Sequence, residues 1–225
     1  MKKQIFLLGG HDLEMMEIKQ LLKNFPDILV FDKGLNWENA EISKYEEVLN
    51  KYGNKEEVEI YGVELHFKDT SKLPSNYHII DHHNEFSGRP SSLEQVADII
   101  RVHLSRKQQL IAANDKGYIP AMQQLGATAE EISEIRFLDR QAQGVTPDDE
   151  QKAEVSVKGK TIDKDVIVVK SLTNRFSPIC DRLYPYKKLL IYNSSTLVYY
   201  GTGKTKIVNY YSEAIKNGKM FHGGG

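Results

Sequence analysis

The residues with the clearest chemical potential are Asp81, His82 and His83, which directly follow the apolar run 77–80. That run is typical of the end of a buried strand, and ligands usually bind at strand ends of an α/β sheet. One carboxylate and two imidazoles suit Mn²⁺, Zn²⁺ or Fe²⁺ better than Ca²⁺, which prefers oxygen ligands. The triplet alone fits a solvated loop equally well, so its meaning depends on acids at other strand ends.

Four further acids are candidates for the same site, and each has an ordinary structural alternative. Asp12 and Glu14 lie between the first strand and the first helix, where they could bind metal or act as helix cap and first-turn acid. Glu64 lies within an apolar strand, where a buried carboxylate needs a partner or a metal unless it faces solvent. Asp115 follows an apolar helix and could equally be a turn residue.

The elements that must position these residues alternate between strands and helices. Continuous apolar segments predict strands at 5–8, 27–32, 58–65 and 77–80. Apolar residues at helical spacing predict helices at 13–25, 36–52, 91–104, 107–114, 119–125 and 128–142. This alternation favours a parallel sheet that is covered by helices on both faces.

The pattern changes near residue 144. Residues 144–154 are polar and turn-rich, which predicts a linker or a linker helix. Predicted strands follow at 155–157, 166–170, 189–192 and 196–200, with a hairpin turn at 193–195 and a helix at 207–215. We therefore predict an α/β protein with a parallel-sheet domain over residues 1–143 and a smaller α+β domain over residues 155–225.

The overall composition excludes several classes of function. The 225 residues include 30 basic and 31 acidic side chains, so no strong attraction to nucleic acid or to an anionic membrane is expected. Cys180 is the single cysteine, which excludes an intrachain disulfide and a cysteine-based zinc site. The apolar run 5–8 is too short for a signal peptide or a membrane span. These features predict a cytoplasmic protein with no membrane and no disulfide partner.

Taken in chain order, the acids and the triplet resemble the DHH phosphoesterase family. That family includes single-strand exonucleases, hydrolases of short oligonucleotides and cyclic dinucleotides, and manganese pyrophosphatases. Its pattern is an N-terminal D-x-D, a lone Asp in a later strand, the Asp-His-His triplet and a further Asp. The matching residues here are Asp12-Leu13-Glu14, Glu64, Asp81-His82-His83 and Asp115. His222 and the following Gly223-Gly224-Gly225 resemble the glycine-rich signature of the family's second domain, which holds the non-reacting part of the substrate.

The chain departs from this family pattern in several places. His11 directly precedes Asp12, whereas the family places a His four residues before the first Asp. Glu14 and Glu64 stand where the family has Asp, and metal sites tolerate ligand displacements of only about 0.2 Å. The alternative is therefore a degenerate DHH-like protein that binds a nucleotide or a protein partner with little or no catalysis.

The resemblance implies a Mn²⁺-dependent phosphoesterase that hydrolyses a small phosphate ester, a nucleotide or a short oligonucleotide with metal-activated water. Mg²⁺, Zn²⁺ and Fe²⁺ stay open as alternatives, as does a homodimer. The implied metal ligands are Asp12, Glu14, Glu64, Asp81, His82 and Asp115. Asp81, His82 and His83 form the implied catalytic group, with His83 as a donor to a phosphate oxygen.

Substrate contacts are expected from both predicted domains. The predicted contact residues are His83, Asn84, Arg175, His222, Gly223 and Gly224. Additional candidates are His11, Asp32 and Lys204, the last in a glycine-containing turn at 201–205 that lacks the spacing of a phosphate-binding P-loop.

Overall fold

The computed structural model describes residues 2–67 and 69–221. The chain divides into two compact units, Met1–Gly144 and Val145–Gly225. The first contains a four-stranded parallel sheet and the second a four-stranded mixed sheet. The predicted fold class, α/β with two domains, is confirmed.

All strands of the first sheet run in the same direction. They are β1 (Lys3–Leu8), β2 (Leu29–Asp32), β3 (Val58–Val63) and β4 (Tyr77–Ile80), and their order is β2-β1-β3-β4. The helices are α1 (Leu13–Leu22), α2 (Glu46–Tyr52), α3 (Ser92–Ile100), α4 (Arg106–Gln124) and α5 (Ala129–Ala142). Short 3₁₀ turns cover Ile42–Tyr45, Thr70–Lys72 and Asn84–Phe86. The parallel direction brings the carboxyl ends of the strands, and the predicted site residues that follow them, to one edge of the sheet.

Strand β1 lies in the middle of this sheet and is buried on both faces. Ile5 and Leu7 belong to one core cluster, together with Tyr45 and Ile60. Phe6 alternates with them, is also fully buried, and stacks on a Tyr ring of β3. A strand buried on both faces must be apolar at every position, which is why residues 5–8 form a continuous apolar run.

One predicted helix of the first unit is wrong in extent, and two others belong to one element. The helix predicted over 36–52 begins only at the turn Ile42–Tyr45, because Asn36 and Asn39 each accept a hydrogen bond from the other's backbone N–H, at 2.8 and 3.2 Å. Such local side-chain bonds compete with helix formation. The helices predicted at 107–114 and 119–125 are the two segments of α4, which meet at a break.

The second unit contains the mixed sheet. Its strands are β5 (Thr161–Asp163), β6 (Val166–Lys170), β7 (Lys188–Tyr192) and β8 (Leu197–Gly201), in that order, with β6 and β7 parallel and both outer pairs antiparallel. Its helices are α6 (Pro147–Lys158), α7 (Ser177–Leu183), α8 (Lys204–Tyr210) and α9 (Ser212–Lys216). The single helix predicted over 207–215 is thus divided at Tyr211.

Helix α6 agrees with the helical alternative predicted for residues 144–154, and it replaces the predicted strand at 155–157. Thr146 and Asp149 form a capping box, and Pro147 occupies the first helical position, where it is well tolerated. Ala153 is fully buried in the core of the second unit. The segment is therefore an integral helix. Within the described residues, no helix is long and apolar enough to cross a bilayer.

Candidate metal centre

Backbone hydrogen bonds join the ends of β1, β3 and β4 at the point where Gly9 lies against the backbone of Glu64. A Cβ at Gly9 would lie 2.4 Å from the carbonyl oxygen of Glu64, so only glycine fits. The Gly9 N–H donates to the carbonyl of Val63 at 2.8 Å, and the Glu64 N–H donates to the carbonyl of Ile80 at 2.8 Å. These bonds bring the residues that follow the strands into one compact group.

Glu64 holds an unusual backbone conformation at this junction. Its φ of +52° is left-handed, which costs a non-glycine residue about 1–3 kcal/mol and tends to occur at functional sites. The side chain is 2% exposed, and neither carboxylate oxygen has a hydrogen-bond partner among the described residues. Glu64 therefore lies one residue beyond β3 rather than within the predicted strand 58–65. It is a buried acid that needs a cation.

The ligand atoms of four side chains converge at this position. Atoms of Glu64, His82, His83 and Asp115 lie within 4.8 Å of one another, and the group can hold a metal ion. His82 Nε2 lies 2.7 Å from Asp115 Oδ2, 3.5 Å from Glu64 Oε1 and 3.7 Å from Glu14 Oε2.

Within the described residues, no aligned hydrogen bond is made by any of the atoms His82 Nε2, Asp115 Oδ2, Glu64 Oε1 and Glu14 Oε2. The 2.7 Å contact between His82 and Asp115 is short, but its angle is unsuitable for a hydrogen bond. Buried polar atoms are nearly always paired, so unpartnered atoms that converge need an explanation such as an ion. Carboxylate oxygens and an imidazole nitrogen are suitable ligands for a divalent transition metal. The residues present therefore fit the metal that the sequence pattern implies.

Glu14 and Asp12 begin α1 next to this group. Glu14 Oε1 accepts a hydrogen bond of 3.0 Å from the backbone N–H of Leu93, in the first turn of α3, and Glu14 Oε2 is the atom near His82. Asp12 caps α1, because its Oδ1 accepts from the N–H of Met15 at 2.8 Å. Asp12 thus has its ordinary role as a helix cap and also places a buried acid beside the site.

The charges of the group perturb one another strongly. Burial raises the pKa of Asp12 to about 7, and the charges of Glu64 and Asp115 add to this effect. Burial also raises the pKa of Glu14 well above its usual range. Burial lowers the pKa of His82, but the close carboxylates of Asp115 and Glu64 outweigh it and raise the value to about 10. In the metal-free protein, bound protons therefore offset the negative charge that a cation would neutralise.

Asp81 orients His83. Asp81 Oδ1 accepts from the backbone N–H of His83 at 2.8 Å and lies 2.9 Å from His83 Nδ1. This contact raises the pKa of His83, and it leaves Nε2 as the ring nitrogen for a ligand. Asp81 is outside the four-residue group, so its predicted role as a metal ligand stays a prediction.

Three other predicted residues of the first unit lie apart from the converging atoms. His11 and Asn84 are exposed, and Asn84 begins the 3₁₀ turn after the triplet. Asp32 is held by an ion pair of 2.6 Å with Lys19 and accepts the N–H of Gly34 at 2.8 Å, so both of its oxygens are engaged. Asp32 thus has its ordinary role in a turn.

The remaining predicted substrate contacts belong to the second unit. Arg175 is exposed, and its backbone N–H donates to the hydroxyl of Thr173 at 3.0 Å. Lys204 is the first residue of α8. His222, Gly223 and Gly224 lie outside the described residues. The roles of these residues stay predictions.

Sequence reasoning missed Trp37 and Asn114. The ring of Trp37 meets that of His83 nearly at right angles, with 4.6 Å between centroids. A signal for Trp37 was available, because it is the only Trp of the chain. Asn114 is buried directly before Asp115, and a polar side chain at the end of an apolar helical run could have been noted.

No family model and no curated protein matches the chain. Among solved structures, it is similar to the pGpG-specific phosphodiesterase PggH from Vibrio cholerae, with 12% identity, a TM-score of 0.42, and coverage of 88% of this chain and 81% of that one. It is also similar to an uncharacterized protein from Helicobacter pylori G27, with 12% identity, a TM-score of 0.34, and coverage of 94% and 89%. Similarities this weak leave functional assignment to the site residues.

Proposed function

We propose that the protein is a metal-dependent phosphoesterase of the DHH type. The observation that supports this most is the convergence of buried, unpartnered ligand atoms from Glu14, Glu64, His82 and Asp115. Glu64 and His82 follow the ends of β3 and β4, and Glu14 and Asp115 lie on α1 and α4, in the chain order of the DHH pattern. A plain α/β domain has no need for such a buried group, because unpaired carboxylates destabilise it.

Glu64, His82 and Asp115 would hold the metal, with Glu14 beside them. Asp12 and Asp81 are the proposed further ligands if a second ion binds. The mixture of carboxylate oxygens and imidazole favours Mn²⁺, with Mg²⁺, Zn²⁺ and Fe²⁺ as alternatives. Bound there, a divalent ion would polarise a phosphoryl oxygen and lower the pKa of water.

Side chains of the protein would stabilise the charge that develops on the phosphate in the transition state. His83 is held by Asp81 through Nδ1, so Nε2 can donate a hydrogen bond to a phosphate oxygen. Asp81 raises the pKa of His83, which favours the protonated, donating form. A fixed donor of this kind stabilises charge that develops in the transition state.

The proposed substrate is a small phosphate ester, a nucleotide or a short oligonucleotide. The formal net charge of −1 offers little of the general phosphate attraction on which binding of long nucleic acid depends. Arg175, Lys204, His222, Gly223 and Gly224 are the proposed contacts to the non-reacting part. Arg175 suits paired contacts to phosphate oxygens.

The test compares His83→Ala with His78→Ala in a Mn²⁺-stimulated assay on bis-p-nitrophenyl phosphate. His78 is a matched control because it lies on β4 and pairs with Glu59 rather than with the group. We expect kcat to fall about 10²–10³-fold in His83→Ala, as for loss of one transition-state donor, and to change little in His78→Ala. Equal activity of both variants would contradict the role of His83. Metal binding without turnover in the wild type would favour the degenerate, ligand-binding alternative.

A further inference from the structure

Helix α4 is broken just after Asp115. Gly117 has φ −159° and ψ 23°, and Tyr118 has φ +58° and ψ −148°, so neither is helical. A Cβ at Gly117 would lie 2.8 Å from the Cβ of Ala121, which leaves no room for a side chain there. The conformation of Tyr118 is normally restricted to glycine, and it persists only where surrounding contacts enforce it.

Arg136 on α5 contacts residues at this break. Its Nη1 donates to Asn114 Oδ1 at 2.8 Å and to Asp139 Oδ2 at 2.7 Å. Its guanidinium lies over the ring of Tyr118, 4.5 Å from the centroid. Arg136 therefore touches the residue before Asp115 and the strained residue three positions after it.

The position of this arginine is unusual for a purely structural ion pair. Arg136, Asp139 and Asn114 are all buried, and a buried ion pair is weak evidence for a gain in stability. The planar fork of Arg fits two acceptors and an aromatic face at once, which Lys cannot reproduce. Groups behind the ligands orient the ligands of a metal site and tune its affinity.

We propose that Arg136 is a positioning residue of the metal centre. It fixes the break of α4 through Asn114 and Tyr118, and the break directs Asp115 Oδ2 to within 2.7 Å of His82 Nε2. This inference rests on the proposed metal centre and adds a requirement that the DHH-like pattern does not include. Metal affinity should therefore depend on Arg136, although its described contacts are to Asn114, Asp139 and Tyr118 and not to the proposed ligands.

The test measures Mn²⁺ affinity of the full chain in Arg136→Lys and Asn114→Ala. Asn114→Ala keeps the pair of Arg136 with Asp139, so it tests the same link even if Arg136→Lys does not fold. Arg106→Lys is the matched control, because Arg106 joins the same two helices through its pair with Glu131 at 3.0 Å.

Calorimetric titration with Mn²⁺ gives the affinity, and thermal unfolding in chelator gives the stability of the metal-free fold. We expect Mn²⁺ to bind about 10–100-fold more weakly to Arg136→Lys and Asn114→Ala, and with unchanged affinity to Arg106→Lys, even where the unfolding midpoints fall equally. Wild-type Mn²⁺ affinity in both test variants, or an equal loss of Mn²⁺ affinity in Arg106→Lys, would overturn this inference and leave the proposed metal centre intact. Failure of the wild type to bind Mn²⁺ would overturn the proposed function together with it.

Discussion

Replacing Glu64 by Gln should strengthen the metal-free fold and abolish tight metal binding. Both oxygens of Glu64 are buried without a partner, and an unsatisfied charged group costs about 1–3 kcal/mol or more. The ligand oxygen of Asp115 lies within 4.8 Å, so at an effective dielectric constant of about 20 its carboxylate adds at least roughly 3.5 kcal/mol of repulsion. Protonated His82 at 3.5 Å contributes an attraction of about 5 kcal/mol, so the attraction and the repulsion are of similar size and nearly cancel. The remaining desolvation predicts a net gain of about 1–3 kcal/mol for the neutral amide.

Thermal unfolding in chelator and calorimetric titration with Mn²⁺ measure the two effects separately. A gain of about 2 kcal/mol corresponds to a rise of roughly 4–8 °C in the midpoint for a chain of this length. Metal affinity should fall by more than the roughly 100-fold that loss of an outer contact causes. Glu59→Gln is the control, because Glu59 lies on β3, near Glu64 in the chain, but pairs with exposed Lys2 and with His78.

The two effects must have opposite signs for the reasoning to hold. Surface pairs contribute about 0–1 kcal/mol, so Glu59→Gln should leave both measurements almost unchanged. A lower midpoint for Glu64→Gln in chelator would show that Glu64 stabilises the fold as an ordinary buried residue. Unchanged Mn²⁺ affinity in Glu64→Gln would refute its place among the ligands.

Two further predictions concern the same group. The metal-free protein should lose stability as the pH rises from about 4 to 10. Folding raises the pKa of Asp12 from 3.8 to about 7 and the pKa of His82 from 6.5 to about 10. The folded state therefore binds more protons than the unfolded state throughout this range, and its stability falls as the pH rises. Urea unfolding in chelator measures this, and stability that rises with pH would contradict it. Gly9→Ala should cost about 1–3 kcal/mol and weaken Mn²⁺ binding, since its Cβ would meet the carbonyl of Glu64 at 2.4 Å. Gly88→Ala, which has open space around it, is the control, and equal unfolding midpoints and Mn²⁺ affinities for the two variants would contradict the close approach at Gly9.

The first sheet was largely predictable from the sequence because its signals are local. The run 77–80 is β4 as predicted, and the other three strands differ from their predicted ranges by only a few residues. Ser91 and Glu94 form the capping box that their spacing indicates. Parallel strands then imply a shared edge, which explains why residues that are distant in sequence could be grouped in advance.

The geometry of the site depends on contacts between distant segments, which no local pattern contains. The left-handed turn at Glu64 exists because Gly9 lies against its backbone, more than fifty residues away. The break of α4 similarly involves Arg136, which lies on the next helix. Val155 and Val157 looked like strand residues because alternation over three positions cannot exclude a helix, and the cap at Thr146 decides the outcome.

The metal content of the purified chain tests the central claim most directly. After reconstitution with Mn²⁺ and removal of free ions, elemental analysis should find about one or two ions per chain in the wild type, and far fewer in Glu64→Gln. Glu59→Gln should match the wild type. Less than about half an ion per chain in the wild type, or equal content in Glu64→Gln, would contradict a metal centre at these strand ends.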